Sequence, residues 1–260
     1  MSLNHARTVA IVVSIIMLLS QCLFLSGCGS QGAQRKKAEP KSEKALAAEQ
    51  QALAKGRQMW FDPNLGSNGR SCESCHPHGE ITRAENYPRY KHVLRTMATL
   101  SMTHNFAVVN ESKGQPWELG SDDANALVLY VTFLANGKTI RMEGPKDYKD
   151  DWVNQGKAIF LDNRLGSNGL SCASCHAERP QKSTSATAQQ IIPLKGVAAT
   201  FPQFRPAMDK VVTLEQQINW CIEKNLSGTP LPLDHKTIVA LCCYLTALSE
   251  GTKIAVAKPR

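Results

Sequence analysis

The feature that most constrains this chain is a segment that occurs twice. LGSNGRSCESCH occupies residues 65–76, and LGSNGLSCASCH occupies residues 165–176. Each copy ends in C-x-x-C-H, so two thiols and an imidazole lie close together in the chain. Cysteines three positions apart share one face of a helical turn. Each copy is therefore built to present two thiols and a histidine to the same group.

Three kinds of site use cysteines at this spacing. A four-cysteine zinc site needs both pairs to converge on one metal, which two separate copies, each with its own histidine, do not favour. A thioredoxin-like redox motif lies in a βαβ pattern, and no such pattern surrounds either copy. In c-type haem attachment the thiols bond to the haem vinyl groups and the histidine ligates the iron. The sequence thus predicts two covalently attached haem c groups, bound by Cys72, Cys75 and His76 and by Cys172, Cys175 and His176.

The N-terminus has the features of an export signal. Arg7 precedes the apolar run VAIVVSIIMLL (residues 9–19), which is short for a membrane-spanning helix and is followed by small residues. Residues 25–28, LSGC, resemble a bacterial lipobox, in which Cys28 carries the lipid; the alternatives are an ordinary secretory peptide or an uncleaved anchor helix. We expect an exported chain, lipid-anchored on the periplasmic or cell-surface side, and Gly29 favours the outer membrane.

The charge pattern limits the class of partner. The chain carries a formal net charge of +8, which suits an anionic partner, a membrane surface or simple solubility. Its lysines are scattered, with no basic stripe interleaved with aromatic residues, so the sequence argues against nucleic-acid binding.

Apolar periodicity predicts an all-α protein, and together with the two C-x-x-C-H motifs this pattern resembles two tandem cytochrome c domains. A first helix is expected from Lys44 to Phe61, with Gly56 and Trp60 on one face, and a closing helix after Ser121 as N-cap. No strand pattern competes. The expected organisation is a lipoprotein signal peptide (1–27), a flexible tether (28–43), a first domain (44–138), a linker (139–150), a second domain (151–253) and a tail (254–260), with a polar insertion between His176 and Phe201.

The second iron ligand of the first haem is expected from the segment that begins at Tyr87. His92 and Met97 are within reach, but His104 is the first candidate and Met102 the second. The counterparts of His104 and Met102 in the second copy are Ile218 and Gln216. The alternative is a satisfied or surface histidine and a core methionine.

In the second copy the candidates for this ligand are Cys221 and Met208, weighted equally. The counterpart of Cys221 is Ala107, which also fits a small buried residue at an apolar position. Cys242 and Cys243 match Val128 and Leu129 on the closing helix and are interpreted as core residues.

Four segments resemble the diheme cytochromes of bacterial sulfur oxidation, namely thiosulfate dehydrogenase and the cytochrome A subunit of the Sox complex. These segments are GVAATFPQFR, TLEQQINWC, NLSGTPLP and ALCCYLTALSEG. This resemblance covers residues 156–251 well and residues 56–137 less closely. It implies that a cysteine, here Cys221, ligates one haem at a site that handles thiosulfate sulfur. The dehydrogenases are expected to carry that cysteine in the first domain, where this chain has Ala107.

Two functions follow as hypotheses. The first is a membrane-tethered diheme cytochrome that transfers electrons between redox partner proteins outside the cytoplasm. The second is a thiosulfate-oxidising enzyme in which Cys221 is the catalytic residue and thiosulfate, or another small anion, is the substrate.

Overall fold

The computed structural model describes residues 41–79, 81–176 and 193–258. The expected signal peptide, Cys28 and the tether as far as residue 40 lie outside this part of the chain, as does most of the insertion after His176. Within the described residues, no helix is both long enough and apolar enough to cross a membrane.

The described chain is mainly helical, which confirms the all-α class. Each half repeats one succession: a long helix, a short helix bearing the two cysteines, a β-hairpin and two more helices. The first half contains α1 (Glu43–Phe61), α2 (Cys72–Cys75), β1 (Arg89–Lys91), β2 (Thr96–Ala98), α3 (Leu100–Asn110) and α4 (Asp122–Leu134). The second half contains α5 (Lys146–Leu161), α6 (Cys172–His176), β3 (Gln203–Arg205), β4 (Lys210–Val212), α7 (Leu214–Leu226) and α8 (Lys236–Ala247).

Side-chain caps fix where the helices begin. The Ser42 hydroxyl accepts a hydrogen bond from the Ala45 amide at 3.2 Å, so α1 starts one residue before the predicted Lys44. Ser121 caps α4 as predicted, by accepting from the Ala124 amide at 3.3 Å.

Glycines let the long helix of each half approach the closing helix. A Cβ at Gly56 would clash with the backbone carbonyl of Ala126 in α4, and one at Gly156 would clash with that of Ala240 in α8. The α1–α4 and α5–α8 crossings are accordingly the tightest helix pairings of the two halves. Trp60, which is 2% exposed, packs in the core beside the first crossing.

The two β-hairpins correct the expectation that no strands would form. β1 pairs antiparallel with β2, and β3 with β4. Each strand has three residues. Such short strands are below the length at which alternation of apolar and polar residues can be recognised.

The segments that follow the two closing helices pair with each other. The Gly137 amide donates to the Ile254 carbonyl at 2.9 Å, and the Gly251 amide donates to the Ile140 carbonyl at 3.1 Å. Gly137 and Ile140 are the counterparts of Gly251 and Ile254, so the two bonds are related by the repeat itself. The start of the expected linker therefore runs beside the start of the expected tail.

This pairing makes the two halves interdependent. Ile254 and Val256 are buried in a core cluster formed mainly by the first half. Helix α5 begins at Lys146, inside the expected linker, so little connecting chain separates the halves. The contacts join both halves in one compact unit.

A cavity lies between the halves and is lined by counterpart residues from each, and we call it the axial cavity. At one side the Ser101 hydroxyl donates to the Glu215 carboxylate at 2.9 Å, and these two residues are themselves counterparts. Its lining includes the matched pairs Tyr87 and Phe201, Leu100 and Leu214, and Ser101 and Glu215. The two halves thus face each other about an approximate twofold axis.

Candidate functional site

Each half contains a cleft with its C-x-x-C-H residues on one wall. In the first cleft, of about 1330 Å³ including its open mouth, Cys72, Cys75 and His76 lie on one side and His104 lines the cleft from α3. Ser71 caps the short helix α2 by accepting from the Ser74 amide at 3.2 Å. This cap fixes the turn that presents the two thiols and the imidazole.

The two histidines of the first cleft carry buried nitrogens without protein partners. Nδ1 of His76 and Nδ1 of His104 make no hydrogen bond to the described residues. Burial, with a smaller effect of the charge of His76, lowers the pKa of His104 to about 3. Burial, and then the charge of Lys91, also lowers the pKa of His76. Both imidazoles are therefore held in the neutral form, which is the form that binds metal.

The second cleft repeats this wall but faces a different residue. It has about 1100 Å³ including its mouth, and Cys172, Cys175 and His176 line it together with Ile218 and Cys221 of α7. The Cys221 thiol lines the second cleft from α7, the helix that corresponds to α3, which carries His104 in the first cleft.

Cys221 lies among polar groups that partly offset the effect of its burial. Gln217 Nε2 donates to Cys221 Sγ at 3.3 Å. Burial raises the pKa of the Cys221 thiol, and the Gln217 hydrogen bond, the charge of Arg205 and a hydrogen bond from Asn225 oppose this rise. Burial, together with the neighbouring Cys221, raises the pKa of Cys172 to about 12.

The facing residues come from successive turns of matched helices. His104 corresponds in the repeat to Ile218, and Cys221 corresponds to Ala107. Positions three apart share a helix face, and all four residues line their clefts. The two clefts therefore share the same arrangement of elements but differ in the residues that face the C-x-x-C-H motif.

The other candidate residues lie elsewhere in the described chain. Met102 packs beside a core cluster that contains Met97, Met142 and Cys243, and does not line the first cleft. Met208 lies in the β3–β4 turn and does not line the second cleft.

The structure also places three further residues that the sequence analysis considered, His92, Cys242 and Cys243. His92 is exposed and stacks edge-on against Tyr90, at 4.9 Å between ring centroids. Cys242 and Cys243 are buried core residues, as interpreted from the sequence.

The clefts suit a haem c. The two thiols and one imidazole of each motif share a wall, the interiors are largely apolar, and the first cleft holds two imidazole nitrogens that lack a protein partner. Cationic side chains that could face the haem carboxylates line both clefts: Arg70, Arg89 and Lys91 in the first and Arg205 in the second. Within the described residues, no group of three or more His, Cys, Asp or Glu side chains is arranged to hold a bare metal ion.

Sequence reasoning missed a polar network behind the first motif. The Trp60 indole Nε1 donates to Glu73 at 2.5 Å, and the His78 amide donates to the other carboxylate oxygen at 2.9 Å. These bonds, that of His78 first, lower the pKa of Glu73. The second half has Phe160 and Ala173 at the matching positions. The sequence signal for this network was Glu73 in CESCH, where the second motif, CASCH, has Ala173.

An all-α fold that presents C-x-x-C-H on the wall of an apolar cleft defines a c-type cytochrome. The comparison with known sequences narrows this class. The chain belongs to the SoxA/TsdA cytochrome c domain family, which it matches over residues 55–140 and again over residues 155–254. Covalently bound haem c is the cofactor of such domains.

Individual relatives belong to two branches of this family. The chain is 38% identical over 88 residues to a thiosulfate dehydrogenase of Allochromatium vinosum, a match that covers 34% of this chain and 32% of that protein. It is 25% identical over 204 residues to an L-cysteine S-thiosulfotransferase subunit SoxA of Hydrogenobacter thermophilus, a match that covers 77% of this chain and 79% of that protein. The matches thus span about a third of the dehydrogenase and most of the SoxA subunit.

The fold agrees with a solved structure. SoxXA from P. pantotrophus superimposes with a TM-score of 0.68 at 20% identity, covering 80% of this chain and 78% of that one. This likeness establishes the fold of the described residues.

Proposed function

We propose that the chain is a diheme c-type cytochrome of sulfur oxidation that acts on a thiosulfate-type anion. The two haem c groups would be bound by Cys72, Cys75 and His76 and by Cys172, Cys175 and His176. Bound haem c supplies a one-electron carrier at each site. The chain supplies the attachment, the facing ligands and the apolar walls that limit contact with water.

The observation that carries this proposal is the position of Cys221 in the second cleft. Its sulfur lines the same cleft as Cys172, Cys175 and His176, and its position in the first half holds alanine. We assign Cys221 as the facing ligand and catalytic residue of the second site, and His104 as the facing ligand of the first. Met102 and Met208 are not retained, because neither lines a cleft.

The substrate class follows from the charge of the second cleft and the chemistry of the relatives. Arg205 brings a positive charge near the Cys221 sulfur, which suits a small anion. When two thiosulfate ions couple through their outer sulfurs, one S–S bond forms and two electrons are released. Two haem sites, one in each half, would accept these two electrons, one at each site.

A second candidate function is electron transfer without a sulfur substrate. A first cleft with a histidine on each side is the arrangement of a site that only carries electrons. In this case the chain would pass electrons between redox partner proteins, and Cys221 would have no substrate.

Low-temperature EPR of the purified protein separates the two candidates. We expect a thiolate-ligated low-spin haem signal that disappears in Cys221→Ala, the residue of the matched position in the first half. Cys242→Val provides the control, since it removes a thiol outside the cleft and introduces the residue found at its own counterpart, Val128. Thiosulfate should reduce the unaltered protein and the control but not Cys221→Ala. A protein with no thiolate signal and no thiosulfate-dependent reduction would leave only the electron-transfer function.

We also propose that the chain is exported and anchored through a lipid at Cys28. The support is the short apolar run followed by LSGC at residues 25–28. Membrane fractionation tests the anchor: Cys28→Ala should move the protein out of the membrane fraction or stop its maturation. Unchanged membrane retention of mature Cys28→Ala would overturn it.

A further inference from the structure

We propose that Gln217 is a positioning residue that orients the Cys221 sulfur and limits its electron donation, through an amide N–H···S hydrogen bond. The inference rests on the proposed function, because it takes Cys221 to be the facing ligand of the second site.

The bond is built into helix α7. Gln217 and Cys221 are four positions apart, so they lie above one another on one helix face. Nε2 and Sγ are 3.3 Å apart, and both residues line the second cleft. The donor therefore approaches the sulfur along the helix.

The first half has no such pair. The counterparts of Gln217 and Cys221 are Thr103 and Ala107. The Thr103 hydroxyl donates to the Thr99 carbonyl at 3.1 Å, within its own helix. The donor and the sulfur are thus found together in one half and missing together from the other.

The Gln217 amide presents its N–H to the Cys221 sulfur. The amide nitrogen faces the sulfur, and Gln217 Oε1 is buried with no hydrogen-bond partner among the described residues. A ligating thiolate sulfur can only accept hydrogen bonds, so this donor suits Cys221 as a haem ligand.

The hydrogen bond should change how strongly the Cys221 sulfur donates electrons to the iron. A hydrogen bond to a ligating cysteine sulfur withdraws electron density from it, and such bonds are among the means by which proteins set haem and metal reduction potentials. Loss of the bond should make the thiolate a stronger donor, stabilise the ferric state, and lower the reduction potential of the second site. It should also broaden the range of sulfur orientations.

The test compares Gln217→Leu, which keeps the shape and removes the donor, with the unaltered haem-loaded protein. Spectroelectrochemical titration should show the midpoint potential of the thiolate-ligated haem moving to a more negative value, and that of the other haem unchanged. Its low-temperature EPR g-values should shift or broaden. Gln217→Asn, whose amide is one methylene too short to reach, should shift the potential in the same direction.

Thr103→Val is the matched control at the counterpart position and should leave the thiolate signal and potential unaltered. If both Gln217 variants retain the thiolate signal with an unchanged potential and g-values, the inference is wrong while the proposed function stands. If the unaltered protein shows no thiolate-ligated haem, the assignment of Cys221 and this inference both fail.

Discussion

At the scale of single residues, the two clefts differ on the faces of α3 and α7. The first half has His104 where the second has isoleucine, and the second half has Cys221 where the first has alanine. The sequence identified both residues as candidates, because a repeat exposes the positions that differ. It ranked His104 only narrowly ahead of Met102, since residues two apart on a helix point in different directions and the apolar pattern does not say which direction faces the cleft.

Replacement of His104 by alanine tests the first site. We expect the first haem to lose its facing imidazole, so that part of the protein becomes high-spin and gains the capacity to bind added imidazole. Visible absorption spectra and EPR measure both effects. Met102→Leu is the control, because Met102 packs in the core. A high-spin signal in Met102→Leu and not in His104→Ala would reverse the assignment.

At the scale of elements, the long helices were predicted and the hairpins were not. The glycine and aromatic spacing of α1 and α5 carries a helical period, so the existence of these helices follows from the sequence. The strands β1 to β4 are three residues each, and only tertiary contacts define them. Yet these hairpins carry the side chains that bring positive charge to the clefts, namely Arg89, Lys91 and Arg205.

Alanine at Gly56 or Gly156 tests the helix crossings. Alanine favours helix by up to about 1 kcal/mol over glycine, but its Cβ would meet a backbone carbonyl that cannot move without separating the helices. We expect each substitution to lower the free energy of unfolding by about 1–3 kcal/mol. Chemical denaturation followed by circular dichroism gives this value. Gln58→Ala, on the exposed side of α1, should change it little; equal losses in all three variants would contradict the crossing argument.

At the scale of the whole molecule, the two halves share part of their apolar core. The sequence predicted two successive domains with a connecting linker and a tail. It gave no sign that the residues after α8 would enter the first half, because pairing between segments so far apart in the chain depends on the arrangement of both halves.

Ile254→Ala tests this shared core. Ile254 is 4% exposed, and truncation of a buried isoleucine typically costs about 2–5 kcal/mol of stability. We expect one cooperative transition at lower denaturant concentration, with the spectra of both haems changing together. Lys258→Ala, which removes an exposed side chain, is the control. Two separate transitions, with only the second half affected, would show independent domains.

Absence of haem should destabilise the whole chain. The two clefts leave about 1330 Å³ and 1100 Å³ with largely apolar walls open to water, and each half is small for a single apolar core. Protein produced without the haem-attachment machinery should show reduced helical circular dichroism and a broad thermal transition. A sharp transition at the temperature of the haem-loaded protein would contradict this expectation.

The axial cavity has a consequence for how such a chain could have arisen. Ser101 bonds to its own counterpart Glu215, and the Gly137–Ile254 bond has its twin in Gly251–Ile140. A surface that binds its own duplicate is the isologous contact of a C2 homodimer. An ancestral chain of half this length, with one haem, would already have carried both sides of this interface. Gene fusion would then have made the dimer permanent and allowed the two subunits to acquire different ligands, which a homodimer of identical chains cannot do.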